Sequence, residues 1–333
     1  MRGFKRICAL AVGFVLFIAG LLKLMDPVGA GLQMDAYFKF LHLAFLSPMA
    51  EAAAVAFALT ETVLGAAVIT GIRRALVGWI SLCLLAFFTL LTFVIWVVNP
   101  DIDCGCFGEV LHLTHAQSLL KNVALLALWA GAFLPVETLE DSPRIKYVSF
   151  WIASASAVLF LVYSLFNIPL VDYTSFKPGT EMEDSSFAVF DEQGEYRDSM
   201  LVDGRVVVIS VYNPDGVGGR EWSELSAFAE TAEAAGIKPL LVVSGDPDEI
   251  PVRPVLLADH RTLMTLNRSN GGATYIADGQ VIKKWSSHSL PEGDDLEIIA
   301  GGNPAETLIS ANAPERLKVQ GFLLYVFAVM LLL

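Results

Sequence analysis

Charge is scarce in this chain. Asp, Glu, Lys and Arg make up 17% of its 333 residues, against about a quarter in a soluble domain. Apolar residues reach 55% and mean hydropathy is +0.58, which excludes a wholly soluble protein. Basic residues are scarcer still, 22 against 35 acidic, for a net charge of −13. Nucleic acid needs basic faces, so it is excluded as a partner; the acid excess after Val171 reads as a solvated surface. Cysteine is rare, with four in all and none after Cys106. Four do not make a disulfide scaffold, and Cys8 and Cys83 lie inside apolar runs as small hydrophobes. No phosphate loop is complete: Gly216–Gly219 stands between a strand and a helix, with no Lys-Ser/Thr after it. Asn267-Arg268-Ser269 fits the glycosylation pattern, by chance as readily as by purpose.

What is present is a series of long apolar runs. Ile7–Leu22 follows Arg2, Lys5 and Arg6 and is closed by Lys23, Asp26 and Pro27 without a small-x-small cleavage site, so it reads as a retained first span. Leu32–Leu46 mixes aromatics with Asp35, Lys39 and His42 and is expected to lie at the interface or re-enter. Ala50–Ile69, Leu76–Val98, a segment from Gln117 to Leu134, and Tyr147–Phe166 give four more spans, each near the ~20 residues a bilayer needs. Thr114-His115-Ala116-Gln117 has capping-box spacing and predicts a helix start. With five alternating spans, Arg2/Lys5/Arg6, Arg73/Arg74 and Arg144/Lys146 share one side, which the positive-inside rule makes the cytoplasm. The loop Asn99–Ala116 and everything after Ile168 then face outward. Leu317–Leu333 is a candidate sixth span or a membrane-resting tail.

From Val171 the composition becomes that of a soluble domain. Asp184–Phe190 and Tyr196–Asp203 predict short strands or a hairpin. Arg205–Tyr212 and Lys238–Val243 read as buried strands with a helix over Glu221–Ala235 between them. Val255–Leu257 is a short strand and Arg261–Leu266 a short helix. Ala273–Ile276 and Gln280–Trp285 flank Asp278-Gly279, a strong hairpin signal. That order is α/β.

The chemistry centres on Asp103-Cys104-Gly105-Cys106-Phe107-Gly108, in a short polar loop between two spans. Cysteines two apart meet only in a bent backbone, which Gly105 permits. A ring that small is strained, and strained, exposed disulfides exchange easily. Outside the cytoplasm such a bond persists. Redox exchange, a static structural pair and metal ligation all stay open. In the metal reading Cys104 and Cys106 join His112 and His115 in a soft site. Lys121, one turn into the fourth span, favours a thiolate or snorkels to headgroups. Glu61, near the middle of the second span, is a functional candidate by its cost: a proton carrier for a membrane quinone, or a neutral acid held between helices. The residues leave its partner open, with Lys23 placed at the depth of Glu51.

Several of these stretches carry a family resemblance. Gly20-Leu21-Leu22-Lys23-Leu24-Met25-Asp26-Pro27, Glu61, the Cys104–Cys106 motif and Lys121-Asn122 make the first ~135 residues resemble the DoxX-like superfamily, and within it the MauE-type redox-associated membrane proteins. The resemblance implies a four-helix membrane core and a part in extracytoplasmic redox, such as supplying oxidising equivalents for disulfides in partner proteins. The arrangement with a fifth span and an outer domain is similar to DoxX-family proteins of Bacteroidetes-type bacteria. The soluble part resembles a degraded thioredoxin fold, with Asn213–Gly219 where the Cys-x-x-Cys would stand and Gly272-Ala273 in place of the cis-proline, so it carries no thiol chemistry.

The expected division is residues 1–136 as a four-span DoxX/MauE-like domain, 137–170 as a cytoplasmic loop and fifth span, 171–316 as an extracytoplasmic thioredoxin-like domain, and 317–333 as the candidate last span. The expected setting is a bacterial inner membrane, with a cytoplasmic N-terminus and a periplasmic α/β domain. Membrane lipid and an extracytoplasmic thiol or client protein are the expected partners. Thiol–disulfide exchange is the leading function. The alternative is a non-enzymatic assembly or anchoring factor whose outer domain binds a partner.

Overall fold

A computed structural model of the chain describes residues 2–100, 102–135, 143–183 and 187–333. It forms two compact units, residues 1–164 with 323–333, and residues 165–322. The first contains helices α1 (Arg2–Met25), α2 (Pro27–Phe40), α3 (Ala50–Thr70), α4 (Arg74–Val98), α5 (His115–Phe133) and α6 (Arg144–Phe166), with a short extended segment β1 (Cys106–Glu109) between α4 and α5. Among the described residues five helical stretches are long and apolar enough to cross a membrane: α1, Ala44–Thr70 including α3, α4, α5 and α6. The chain is thus a multi-pass membrane protein built on a helical bundle. The polar stretch expected at 137–146 lies largely outside the described residues.

Local chemistry sets the helix ends. Thr114 Oγ1 accepts from Gln117 N and Gln117 Oε1 accepts from Thr114 N, so the capping box is formed and starts α5. Asp26 accepts from Gly29 N and Pro27 opens α2, which turns the chain sharply after α1. The expected interfacial segment is this separate helix α2, followed by a 3₁₀ stretch over Ala44–Met49.

Within a membrane, close backbone approach takes the place of the hydrophobic effect in pairing helices. The α1–α3 pair is built that way. A Cβ on Gly65 would lie 2.7 Å from the Gly13 carbonyl, and one on Gly20 would lie 2.5 Å from the Ala58 carbonyl. This sets the register: Gly20 stands level with Ala58 and Thr62, and Gly13 with Gly65 and Ile69. Around the pair pack Val12, Leu16, Leu64, Val68, Leu85, Leu125 and Phe133. The indole of Trp129 donates to the Gly78 carbonyl at 2.9 Å and to Ser81 Oγ at 3.1 Å, fastening α5 to α4. Gly65→Ala is expected to lower the unfolding midpoint in detergent by the equivalent of about 1–3 kcal/mol. Gly321→Ala, where nothing lies within 4 Å, should leave the midpoint nearly unchanged.

Near the end of α5, Gly131 lies against Cys8 and Phe4 of α1. Tyr147 and Phe150 of α6 pack on the same cluster. The start of α1, the end of α3, the end of α5 and the start of α6 thus share one end of the bundle. Lys5, Arg6, Arg73, Arg74, Arg144 and Lys146 belong to that end, and the cysteine loop to the other.

The second unit is an α/β domain. It holds β2 (Arg205–Val211), α7 (Gly219–Ala234), β3 (Lys238–Val243), β4 (Leu256–Leu257), α8 (His260–Leu266), β5 (Gly272–Ala277), β6 (Gln280–Trp285), α9 (Gly293–Gly301) and α10 (Pro304–Ala311). The sheet order is β4-β3-β2-β5-β6, with β2 parallel to β3 and antiparallel to β5. The central strand reads as an unbroken apolar run because both faces are covered. Val207, Ile209 and Val211 pack with Trp222, Phe228 and Tyr275 on one face. Val206 and Val208 pack with Leu240, Val242, Leu263 and Leu266 on the other. Asp278 and Gly279 both take positive φ, 48° and 78°, as the two-residue hairpin requires.

Tyr196–Asp203 is not a strand. The hairpin alternative is met at its turn, where Tyr196 bridges Phe190, Asp191 N donates to the Glu195 carbonyl and Arg197 N to the Val189 carbonyl; beyond it Asp198–Leu201 is 3₁₀, held where Asp198 accepts from Val189 N. The strand expected over Asp184–Phe190 lies partly outside the described residues. Asn267 is fully buried and donates to the Ala273 carbonyl, so it is not an accessible glycosylation acceptor.

The last helix, α11 (Ala313–Leu332), begins in the second unit and ends in the first. It falls outside the five stretches apolar enough to cross. Its end runs antiparallel along α6: Tyr325 donates to Ser156 Oγ at 2.9 Å and stacks on Phe160, and Lys146 Nζ donates to the Leu333 backbone oxygen at 2.6 Å.

Candidate functional site

The cysteine loop is held down by α2. Gln33 and Tyr37, one turn apart and hence on one face, both reach it. Gln33 Nε2 donates to the Asp103 carbonyl at 3.1 Å, and the Tyr37 hydroxyl donates to the carbonyls of Asp103 and Cys104. Gly105 takes φ +48°, and a Cβ there would fall on the Gln33 side-chain amide. Glycine is therefore needed twice, for the left-handed backbone and for the space.

The two sulfurs differ. Cys104 is 4% exposed and Cys106 is half-buried, and both are free thiols. Burial pushes the Cys104 thiol up; the Ser118 hydroxyl beside it pulls down, and Lys121 does so more weakly. Burial, with the cysteines and Asp103 nearby, also raises Tyr37, which stays a phenol and keeps donating. A raised pKa means less thiolate at any given pH, and the thiolate is the nucleophile. Cys106 is therefore expected to be alkylated first. Cys104 should react at a rate that climbs only at more alkaline pH than an ordinary thiol needs. Peptide mass spectrometry across a pH series reads both.

Below the loop lies a cavity of about 280 Å³ between α1, α2, α3, α4 and α5. Its lining brings together Cys104, Cys106, Lys23, Glu61, Lys121 and Tyr37. Three candidates picked from sequence, the cysteine pair, Glu61 and Lys121, thus share one chamber. Lys23 is Glu61's partner, with Nζ 2.6 Å from the carboxylate and Glu61 3% exposed. Lys23 does not sit at the depth of Glu51. The Gly20–Ala58 contact places the last turn of α1 beside the middle of α3, and α2 covers the first turns of α3 instead. Lys23 also lies over the Phe88 ring, at 5.6 Å, and Lys121 over Phe107, at 5.0 Å. Asn122, buried beside them, donates to Thr92 Oγ1 at 3.1 Å and to the Phe88 carbonyl at 3.2 Å.

The histidines lie apart from this chamber. His115 uses both ring nitrogens, at 3.0 Å from Asn99 Oδ1 and 2.9 Å from the Ile102 carbonyl, and His112 faces Asp103 at 3.3 Å. Among the described residues no three His, Cys, Asp or Glu side chains are grouped to hold a metal ion, so the Cys104/Cys106/His112/His115 set is not assembled. In the α/β domain the Gly216–Gly219 turn spends its Gly218 N–H on Glu221 at 2.8 Å, where a phosphate would sit. Sequence reasoning missed Gln33, Tyr37 and Ser118. The i,i+4 spacing of Gln33 and Tyr37, on α2 beside the Asp35–Lys39 pair, was the available signal for the first two.

Residues 1–135 match the family model of methylamine utilisation protein MauE. That stretch contains every residue lining the chamber. No curated protein and no solved structure matches the chain.

Proposed function

We propose, from the premise that residues 1–135 form a MauE-type membrane region, that this chain carries out thiol–disulfide exchange at Cys104 and Cys106 on the outer face of a bacterial inner membrane. The observation that carries the reading is that both sulfurs open on one cavity with a buried Lys23–Glu61 ion pair. Paired charges, thiols and an apolar chamber together mark a functional site more than a structural one. The basic residues at the opposite end of the bundle support the orientation.

In the oxidising direction, a client thiolate attacks Cys106, the more accessible sulfur, and the Cys104–Cys106 bond breaks to release the Cys104 thiolate, which takes up a proton. The client's second thiolate then attacks the mixed disulfide. Client disulfide and two cysteine thiols result, two electrons having passed from client to the pair. Cys104→Ser leaves a lone Cys106, whose thiolate can attack the disulfide of an oxidised client, releasing one client thiolate and leaving a mixed disulfide that no Cys104 resolves. A non-reducing gel of membranes carrying that variant should show a client adduct that reductant removes. Absence of any adduct, with function retained in the Cys104→Ser/Cys106→Ser variant, would instead favour the non-enzymatic assembly factor.

We read the α/β domain as thioredoxin-like. The parallel β2-α7-β3 unit joined to the antiparallel β5-β6 hairpin supports this. With no cysteine in it, the domain serves as a docking element for the client. Where a redox pair would stand, Asn213 exchanges two hydrogen bonds with Asn270, at 2.8 and 3.0 Å, so the turn is closed on itself.

A further inference from the structure

Cys104 and Cys106 have no second cysteine pair to relay their electrons. Cys8 is buried at the opposite end of the bundle beside Gly131, and Cys83 stands exposed on α4. Electrons gained from a client leave either to a soluble disulfide at the accessible face of Cys106 or to something that enters the chamber. We infer that the chamber binds a lipid-borne quinone as the electron acceptor, an inference that rests on the exchange role proposed above and specifies its co-substrate.

Three observations carry it. The chamber is walled by Leu16, Phe38, Leu85, Phe88 and Leu91, and its volume of about 280 Å³ is near the lower end for small-molecule pockets, ~300–1,000 Å³. It suits a flat, apolar ring better than a hydrated ion. It also reaches the side of the bundle. Phe57 on α3 and Phe87 on α4 both line it, are 38% and 48% exposed, and stack with centroids 6.3 Å apart. A ring held inside can leave its apolar tail between α3 and α4, where acyl chains surround the bundle. Finally, the chamber supplies a few convergent polar groups. A buried ion pair is costly to maintain, and here its ammonium faces a space with room for a carbonyl acceptor.

The step balances. Cys104–SH and Cys106–SH lose two protons and two electrons and form one S–S bond. The quinone gains both protons and both electrons and leaves as quinol. Lys23 donates a hydrogen bond to the oxygen on which negative charge grows, and Glu61, 2.6 Å from its Nζ, holds that lysine in place.

The test uses the full chain in lipid nanodiscs with a short-tailed, photoreactive benzoquinone as probe. The Cys104→Ser/Cys106→Ser protein should bind the probe saturably and crosslink within α3 and α4 near Phe57 and Phe87, without reducing it. Reduced wild-type protein should convert one probe molecule for every two thiols lost. Lys23→Met should weaken binding about tenfold or more, and Leu91→Trp, which fills the chamber without touching the ion pair, should do the same. Wild-type protein that exchanges with a soluble disulfide yet neither binds nor reduces the probe overturns the quinone site and leaves the exchange role standing. Saturable binding at the mapped site, without exchange, overturns the exchange role and keeps the site.

Discussion

Replacing Glu61 by leucine is expected to destabilise the membrane bundle by about 3–5 kcal/mol, the largest effect of any single substitution in the chamber. Glu61 is 3% exposed and its carboxylate lies 2.6 Å from Lys23 Nζ. Removing it leaves an ammonium in an apolar chamber, facing the Phe88 ring at 5.6 Å. A cation–π contact offers about 0.5–2 kcal/mol, too little to offset the lost partner. Lys23→Met in the same background removes the stranded charge, and the pair of changes should recover most of the stability, because an apolar pair of similar volume is often as stable as a buried ion pair. Unfolding midpoints of the four proteins in mixed micelles give the coupling directly. Near-additive losses would mean that the two groups do not act as a pair.

The second large effect is on Gly105→Ala. The backbone at φ +48° costs a residue with a Cβ about 1–3 kcal/mol, and that Cβ falls on Gln33. Gln33 must move, which breaks its hydrogen bond to the Asp103 carbonyl, a further contribution of about 1 kcal/mol. The loop should then lift from α2. Cys104, buried in the parent, should be alkylated at a rate approaching that of Cys106, and the pair's midpoint potential should shift. Gln33→Ala in the Gly105→Ala background clears the space and should restore part of the protection. Unchanged alkylation of Cys104 in Gly105→Ala would show that α2 does not hold the loop.

The membrane helices were readable because each needs an uninterrupted apolar run, and α5 because its capping box is local. The α/β core was readable too, since β2 and β3 are apolar on both faces and the Asp278-Gly279 turn is a two-residue signal. The chamber was only half legible. Cys104, Cys106, Glu61 and Lys121 stand out by residue type alone. The Lys23–Glu61 pairing depends on helix register, which the close approach at Gly13, Gly20 and Gly65 decides, and counting residues inward from the surface misplaced Lys23. Gln33 and Tyr37 act through backbone carbonyls some seventy positions away; their i,i+4 spacing marks a polar face of α2 but does not say which loop that face holds. Tyr196–Asp203 differs for another reason: it pairs with Val189–Asp191 only as far as Arg197, after which the Asp198 carboxylate takes the Val189 N–H and the chain turns into a 3₁₀ stretch.

The path of the chain has a mechanical consequence. It leaves the membrane unit after residue 164 and rejoins it at residue 323, where Tyr325 and Leu333 grip α6. The intervening domain is therefore leashed at both ends, like an inserted loop. A protease that severs one leash leaves it attached by the other, so release of the domain from the membrane unit takes two cuts.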